Sequence, residues 1–154
     1  MESAVSRIPR FAAYAAAFEK AVKTDDWSPL EPFFTADAVY EVPLGPPLGG
    51  RFEGRAAILR YFKRALDTFD RRFESREVAL LEGPREEADS VWFRGSATYR
   101  AAGVPAFVLE LEETVQFEGD RICRLADRYE PAMEKAINAY VAAHGGKLGI
   151  AAGG

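Results

Sequence analysis

The sequence predicts an α+β fold, with helices gathered toward the start and a run of antiparallel strands in the second half. Three observations carry this. In the alanine-rich stretch from Ile8 to Lys23, Phe11, Ala15, Phe18 and Val22 recur at helical spacing, with Tyr14 beside them. From Phe107 to Glu118 the period changes to two. Phe107, Leu109, Leu111, Val115 and Phe117 point one way, and Val108, Glu110, Glu112, Thr114, Gln116 and Glu118 the other, the mark of a half-buried strand. A second strand returns through Cys123, Leu125 and Tyr129 after a Gly119-Asp120 turn signal, so the two form a hairpin.

In chain order, the first helix is followed by Thr24-Asp25-Asp26, which caps a short second helix through Trp27, with Pro29 in its first turn and Phe33-Phe34 near its end. Asp37 to Pro43 reads as a strand with Tyr40 and Val42 on one face. Leu44 to Gly50, with two prolines and three glycines, reads as a loop long enough to form a rim. Gly54 to Phe69 is a third amphipathic helix, with Ile58, Tyr61 or Phe62, Ala65, Leu66 and Phe69 inward. Arg76 to Leu81 is a strand, with Glu82-Gly83-Pro84-Arg85 as a turn. Val91 to Arg100 is another, and a two-residue Ala102-Gly103 turn would put Trp92, Arg94, Ser96 and Thr98 on the inner face. Pro131 opens a last helix through Ala143, ended by Gly145-Gly146. One domain over residues 1–145 and a flexible tail over 146–154 are expected.

A chain of 154 residues suffices for one core without staples. Its net charge of −4, with mixed signs, argues against nucleic acid or an anionic membrane as partner. The basic residues around Arg60, Lys63 and Arg64 read as a solvated helix face. The single Cys123 excludes an internal disulfide and a multi-cysteine metal site, and its place among apolar strand residues predicts burial. Neither a signal-peptide core nor an apolar run of roughly 18 residues is present, which points to a cytoplasmic protein. The lone His144 sits at a helix C-terminus, where a cation is favoured, and scattered acids supply no metal ligand set, so no metal and no cofactor are expected.

Two residues break the apolar series of the hairpin. Glu113 falls on the dry side of the first strand and Asp127 among Cys123, Leu125 and Tyr129 on the second. A two-residue loop would put Glu113 opposite Ala126, whereas a three-residue loop within Glu118 to Arg121 keeps the apolar faces together. The two acids are then opposed or one pair apart. Directly opposed residues have Cβ atoms roughly 4.5–5.5 Å apart. Two carboxylates that close in a dry interior cannot both ionise cheaply, so one is expected to hold its proton near neutral pH.

The segments FFTADAVYEVPLG, GRAAILRYF and FEGDRICRLADRYE, in this order of elements, resemble the nuclear transport factor 2-like superfamily from about Phe11 to about Ala143. Its SnoaL-like cyclases, ketosteroid isomerases and limonene-epoxide hydrolases are the most similar branch. The resemblance implies a cone-shaped, mostly antiparallel sheet wrapped by three N-terminal helices and a C-terminal one, around an apolar pocket. Against the isomerases, Glu113 matches the acid kept neutral to donate a hydrogen bond, while Val42 stands at the general base and Phe18 at the helix tyrosine, with Tyr14 one turn away. Against the epoxide hydrolases, Tyr40, Asp127 and Arg94 match the tyrosine, the strand aspartate and the arginine, while Val42 and Ser96 replace the asparagine and second aspartate.

These readings give a small-molecule enzyme working by general acid–base catalysis on a hydrophobic, cyclic, carbonyl- or epoxide-bearing ligand, of isomerase, cyclase or epoxide-hydrolase type. Asp127 is the base, Glu113 the proton donor, Arg94 the cation holding Asp127 ionised, and Tyr40 orients the reacting oxygen. Tyr14, Phe18, Trp27, Phe34, Trp92, Leu111 and Tyr129 line the walls. The alternative is a binding or interaction module in which Arg94, Glu113 and Asp127 only fix strand register. The family implies a homodimer, and the outward Glu110, Glu112, Arg124 and Arg128 suggest the sheet as the pairing face.

Overall fold

The structure is a computed structural model that describes residues 6–45 and 48–150. Pro46 and Pro47 of the expected rim loop, and residues 151–154 of the expected tail, lie outside the described residues. Helix α1 spans Ile8–Thr24, with Phe11, Tyr14 and Ala21 buried. Asp25, in the left-handed region at φ 58°, stops it. The next segment is a 3₁₀ turn, Ser28–Phe33, and not a second α-helix. Pro32 inside it lacks an amide hydrogen and would crowd the preceding helical turn. Trp27, not an acid, stands at the segment's N-cap, and Asp26 Oδ1 accepts from the Ser28 amide and hydroxyl at 3.1 and 2.7 Å in the turn before it.

Phe34 therefore opens strand β1, Phe34–Val42, rather than ending a helix. The expected loop gives way at Gly50 to a short strand, β2, Gly50–Glu53, paired antiparallel with β1 from Val39↔Glu53 to Val42↔Gly50. Helix α2, Arg55–Thr68, buries Ile58, Tyr61, Phe62 and Leu66. Strand β3, Ser75–Glu87, runs straight through the expected turn. Its register shifts at Leu80/Glu82 and Glu82/Arg85 take up Gly83-Pro84 as bulges, which an edge strand tolerates. Strands β4, Ser90–Arg100, β5, Phe107–Glu118, and β6, Arg121–Arg128, complete the sheet before helix α3, Pro131–Leu148. That helix continues past Gly145-Gly146 and is capped by Gly149 at φ 74°. Gly145 serves close approach instead, since a Cβ there would come 3.0 Å from the Ile150 carbonyl oxygen.

The six strands lie in the order β2-β1-β6-β5-β4-β3, with β1 and β6 the parallel pair. The sheet is curved and does not close, which is the α+β architecture the resemblance implied. Two apolar clusters fill its concave side. One joins α1, α2, β1, β5 and β6 around Leu30, Phe34, Ile58, Val115 and Leu125. The other, around Phe69, Phe73, Tyr99, Phe107 and Ile137, lies under α3.

Two hairpins decide which side chains face that concavity. Between β5 and β6 the turn is the tight Gly119-Asp120 pair, not a three-residue loop, with Glu118 opposite Arg121. The parity is restored by a bulge. Phe117 pairs with Ile122 and Gln116 with Arg124, which leaves Cys123 as the extra residue. Ile122 is fully buried in place of Cys123, which is half-buried with its Sγ 3.5 Å from the Gln116 carbonyl oxygen. Between β4 and β5 the connection is longer than the two-residue turn, and Tyr99 pairs with Phe107. This is one residue off the register that Ala102-Gly103 would set, so every side chain of β4 changes sides. Phe93, Gly95, Ala97 and Tyr99 face inward, and Trp92, Arg94, Ser96 and Thr98 do not.

Candidate functional site

A cavity of about 450 Å³ lies in the concave side, between the two apolar clusters. The inner face of β4 makes room for it, because the small Gly95 and Ala97 sit between the large Phe93 and Tyr99. Leu109 and Leu111 of β5 extend the same floor, and Tyr14, Phe18 and Tyr61 come from the helices above. The Tyr61 hydroxyl donates to the Leu48 carbonyl at 2.5 Å, tying the rim to α2.

Glu113 and Asp127 are directly opposed across β5 and β6, and both line this cavity. Asp127 is 8% exposed and is the one buried charged residue among the described core positions. The Tyr40 hydroxyl donates to its Oδ2 at 2.6 Å, placed by the parallel pairing of Tyr40 with Leu125. Asp127 Oδ1 is buried and accepts no hydrogen bond from any of the described residues as ionised. A buried carboxylate oxygen left so is costly, roughly 1–3 kcal/mol or more. A proton on Glu113 answers that cost.

The electrostatics agree on where the proton sits. Burial pushes the Glu113 carboxyl well above its ordinary range, and the charge of Asp127 and the hydrogen bond between them push it further. Asp127 is also raised by burial, but hydrogen bonding from Glu113, Tyr40 and Tyr129 opposes the rise. Both carboxyls are raised, Glu113 the further of the two, which favours one proton shared by the pair and lying toward Glu113. Burial first, and then the two acids, hold the hydroxyls of Tyr14 and Tyr40 well above the usual phenol range, so both remain donors. Tyr129 is raised the same way by burial and then by Asp127.

Of the residues expected at the site, Glu113, Asp127, Tyr40, Tyr14, Phe18, Leu111 and Tyr129 meet around the cavity. Four do not. Arg94 lies on the outer face, 40% exposed and 4.0 Å from Glu110, so it cannot hold Asp127 ionised. Trp92 shares that outer face, under the Arg85 guanidinium at 4.3 Å. Trp27 packs edge-on against Phe18 at 5.7 Å and its indole donates to Asp25, while Phe34 is fully buried between Tyr14 and Phe62. Both belong to the core behind the wall.

Sequence reasoning missed Phe93, Gly95, Ala97 and Tyr99 because of the β4 register. It also missed a second polar group on the wall, in which Arg76 joins Asp70 and Glu19. Among the described residues no three His, Cys, Asp or Glu side chains gather as a metal set, and no helix is long and apolar enough to cross a membrane.

The model of the SnoaL-like domain matches residues 14–125 of this chain. No curated protein matches it significantly. Among solved structures it is similar to Bal32a from a soil-derived mobile gene cassette, at 16% identity and TM-score 0.67 over 88% of this chain and 98% of that one. TerC, co-crystallised with polyporic acid, aligns at 18% identity and TM-score 0.64, over 87% of this chain and 98% of TerC. A candidate polyketide cyclase from Sinorhizobium meliloti is 23% identical at TM-score 0.56, over 75% of this chain and 94% of that one. At these identities the likeness is one of fold.

Proposed function

Because this chain belongs to the SnoaL-like domain family, we propose that it is a small-molecule enzyme that moves protons on a hydrophobic, carbonyl- or epoxide-bearing substrate held in the cavity. The observation that carries this reading is the opposed Glu113–Asp127 pair in an apolar chamber, bonded to each other and to the Tyr40 hydroxyl, with no cation paired to either acid among the described residues. A structural acid pair would be expected to neutralise against a cation, and Arg94 is too far out to serve.

In this reading the Asp127 carboxylate takes a proton from substrate carbon beside a carbonyl, or from water. Glu113 gives its proton to the oxygen where negative charge develops. Tyr40 holds Asp127 through Oδ2, so its part is to position the base rather than to bind the reacting oxygen. Phe18, Leu111 and Phe93 exclude water, and the low dielectric strengthens each of these interactions. TerC, of the same fold, takes polyporic acid into its crystals, in keeping with an organic ligand for this one. The outer sheet face, with its Glu112–Arg128 and Glu41–Arg124 ion pairs, is the surface offered for a second copy of the chain. Sedimentation checks that directly.

The test of function is a panel of cyclic enones, β-diketones and epoxides assayed with the natural protein and Asp127→Asn. The reading expects turnover of at least one compound, lost in the variant, while circular dichroism shows the same fold. Equal turnover by both proteins on that compound contradicts it. Tight binding with no turnover across the panel favours the binding-module alternative.

A further inference from the structure

The cavity has a second polar end that the acid pair does not use. Tyr99 lies six residues beyond Phe93 on the same face of β4, and Phe93 is opposite Glu113. At about 3.4 Å per residue that separates the two ends by roughly 20 Å along the backbone. Arg76 sits opposite Tyr99 on β3. Its Nη1 donates to Glu19 Oε1 of α1 at 2.7 Å. Its Nε lies 3.0 Å from Asp70 Oδ2, yet that N–H is not aimed at the oxygen and, though buried, finds no acceptor. The Tyr99 hydroxyl donates to the same Asp70 oxygen at 3.1 Å.

Three features of this cluster bear on what it takes. Nε is buried against Asp70, whereas Nη2 makes no hydrogen bond to the described residues, so Nη2 is the donor left for an acceptor. The side chain is 17% exposed and, with Asp70 and Glu19, it lines the cavity rather than closing it off. One cation already faces two carboxylates, so an anionic ligand would add a third negative charge around a single positive one. A neutral oxygen meets the donor without that repulsion.

We propose that Arg76, held by Glu19 and Asp70, is a second ligand subsite that takes a neutral carbonyl oxygen at the far end of an elongated, flat, apolar substrate. This rests on the reading of the cavity as a small-molecule site and specifies the substrate class: a rigid compound with one reacting polar group beside Asp127 and a second, uncharged one beside Arg76. Gly95 and Ala97 form the floor over which the middle of such a molecule lies. A methyl at Gly95 would already come 3.3 Å from the Ala79 carbonyl oxygen.

The probes are three naphthalene dyes of one shape titrated by fluorescence: 6-propionyl-2-(dimethylamino)naphthalene, its parent lacking the ketone, and the 6-carboxylate. The ketone is expected to bind about tenfold tighter than the parent, as one added hydrogen bond gives, and tighter than the carboxylate. Arg76→Lys keeps the charge but loses the planar fork, and it is expected to erase the ketone advantage while Glu113→Gln keeps it. Should Arg76→Lys fail to fold, the wild-type protein still reports. The Arg76 guanidinium N–H resonance is expected to shift with the ketone dye and not with its parent. An advantage that survives Arg76→Lys, one lost in Glu113→Gln instead, an unmoved Arg76 resonance or a preference for the carboxylate overturns the subsite and leaves the acid-pair function standing. No saturable binding of any dye contradicts the cavity reading and, with it, this inference.

Discussion

Two acids on the walls of one cavity, Asp127 buried and Asp70 half-buried, have opposite surroundings. Asp127 has another acid as its nearest charged neighbour and hydroxyl groups for the rest. Asp70 has Arg76 at 3.0 Å and shares it with Glu19. Burial raises both carboxyls, but at Asp70 the largest opposing influence is the arginine charge, whereas at Asp127 it is the hydrogen bond from Glu113. The difference is one of purpose in physical terms. A balanced ion pair holds α1, β3 and the turn at Asp70 together, while two acids without a cation hold a mobile proton.

The contrast is broken or sharpened first by removing each charge in turn. Asp127→Asn is expected to cost about 10²–10⁴-fold in turnover, the usual worth of a general base, with thermal stability unchanged or raised. Asp70→Asn is expected to do the reverse, lowering stability by roughly 1–3 kcal/mol in denaturant titration because Arg76 keeps only Glu19. Matching effects from both variants would erase the distinction.

Stability against pH is the next discriminator. Glu113 is raised above its ordinary value of 4.5 in the folded protein, so the native state binds its proton more tightly than the unfolded chain does. Its contribution is whole below about 4.5, and it is lost as pH rises through the raised folded value. Melting temperature is therefore expected to fall with rising pH above 4.5, and Glu113→Gln to remove most of that slope. Asp127 and Asp70, also raised, account for the remainder. Activity is expected to follow a bell, with its acid limb set by loss of charge on the pair and its alkaline limb by loss of the pair's last proton. In Glu113→Gln the alkaline limb disappears. The smallest effect belongs to the outer face, where Arg94→Ala is expected to change stability by less than about 0.5 kcal/mol and turnover not at all. A loss of turnover there would restore Arg94 to the site.

The acid pair was legible because β5 and β6 each bury one face, so an acid in the apolar series is conspicuous at Glu113 and again at Asp127. The turn beside them was misread, and the Cys123 bulge cancelled the error by shifting the register back. No such compensation acts on β4. Trp92, Arg94, Ser96 and Thr98 make as plausible an inner set as Phe93, Gly95, Ala97 and Tyr99, and only the length of the connection to Phe107 chooses between them. Aromatic residues at Trp27 and Phe34 were rightly placed inside, but sequence does not separate the wall of a cavity from the core behind it. The Asp70–Arg76–Glu19 cluster left no trace, since its members sit on three elements and none interrupts an apolar pattern.

The central claim is that one proton rests on Glu113 beside an ionised Asp127 at neutral pH. Infrared difference spectra in the carboxylic acid carbonyl region test it most directly. A protonated-acid band is predicted at pH 7 in the natural protein, absent in Glu113→Gln and retained in Asp127→Asn. A spectrum without that band, with both carboxylates ionised and titrating in the ordinary range near 4, would contradict it.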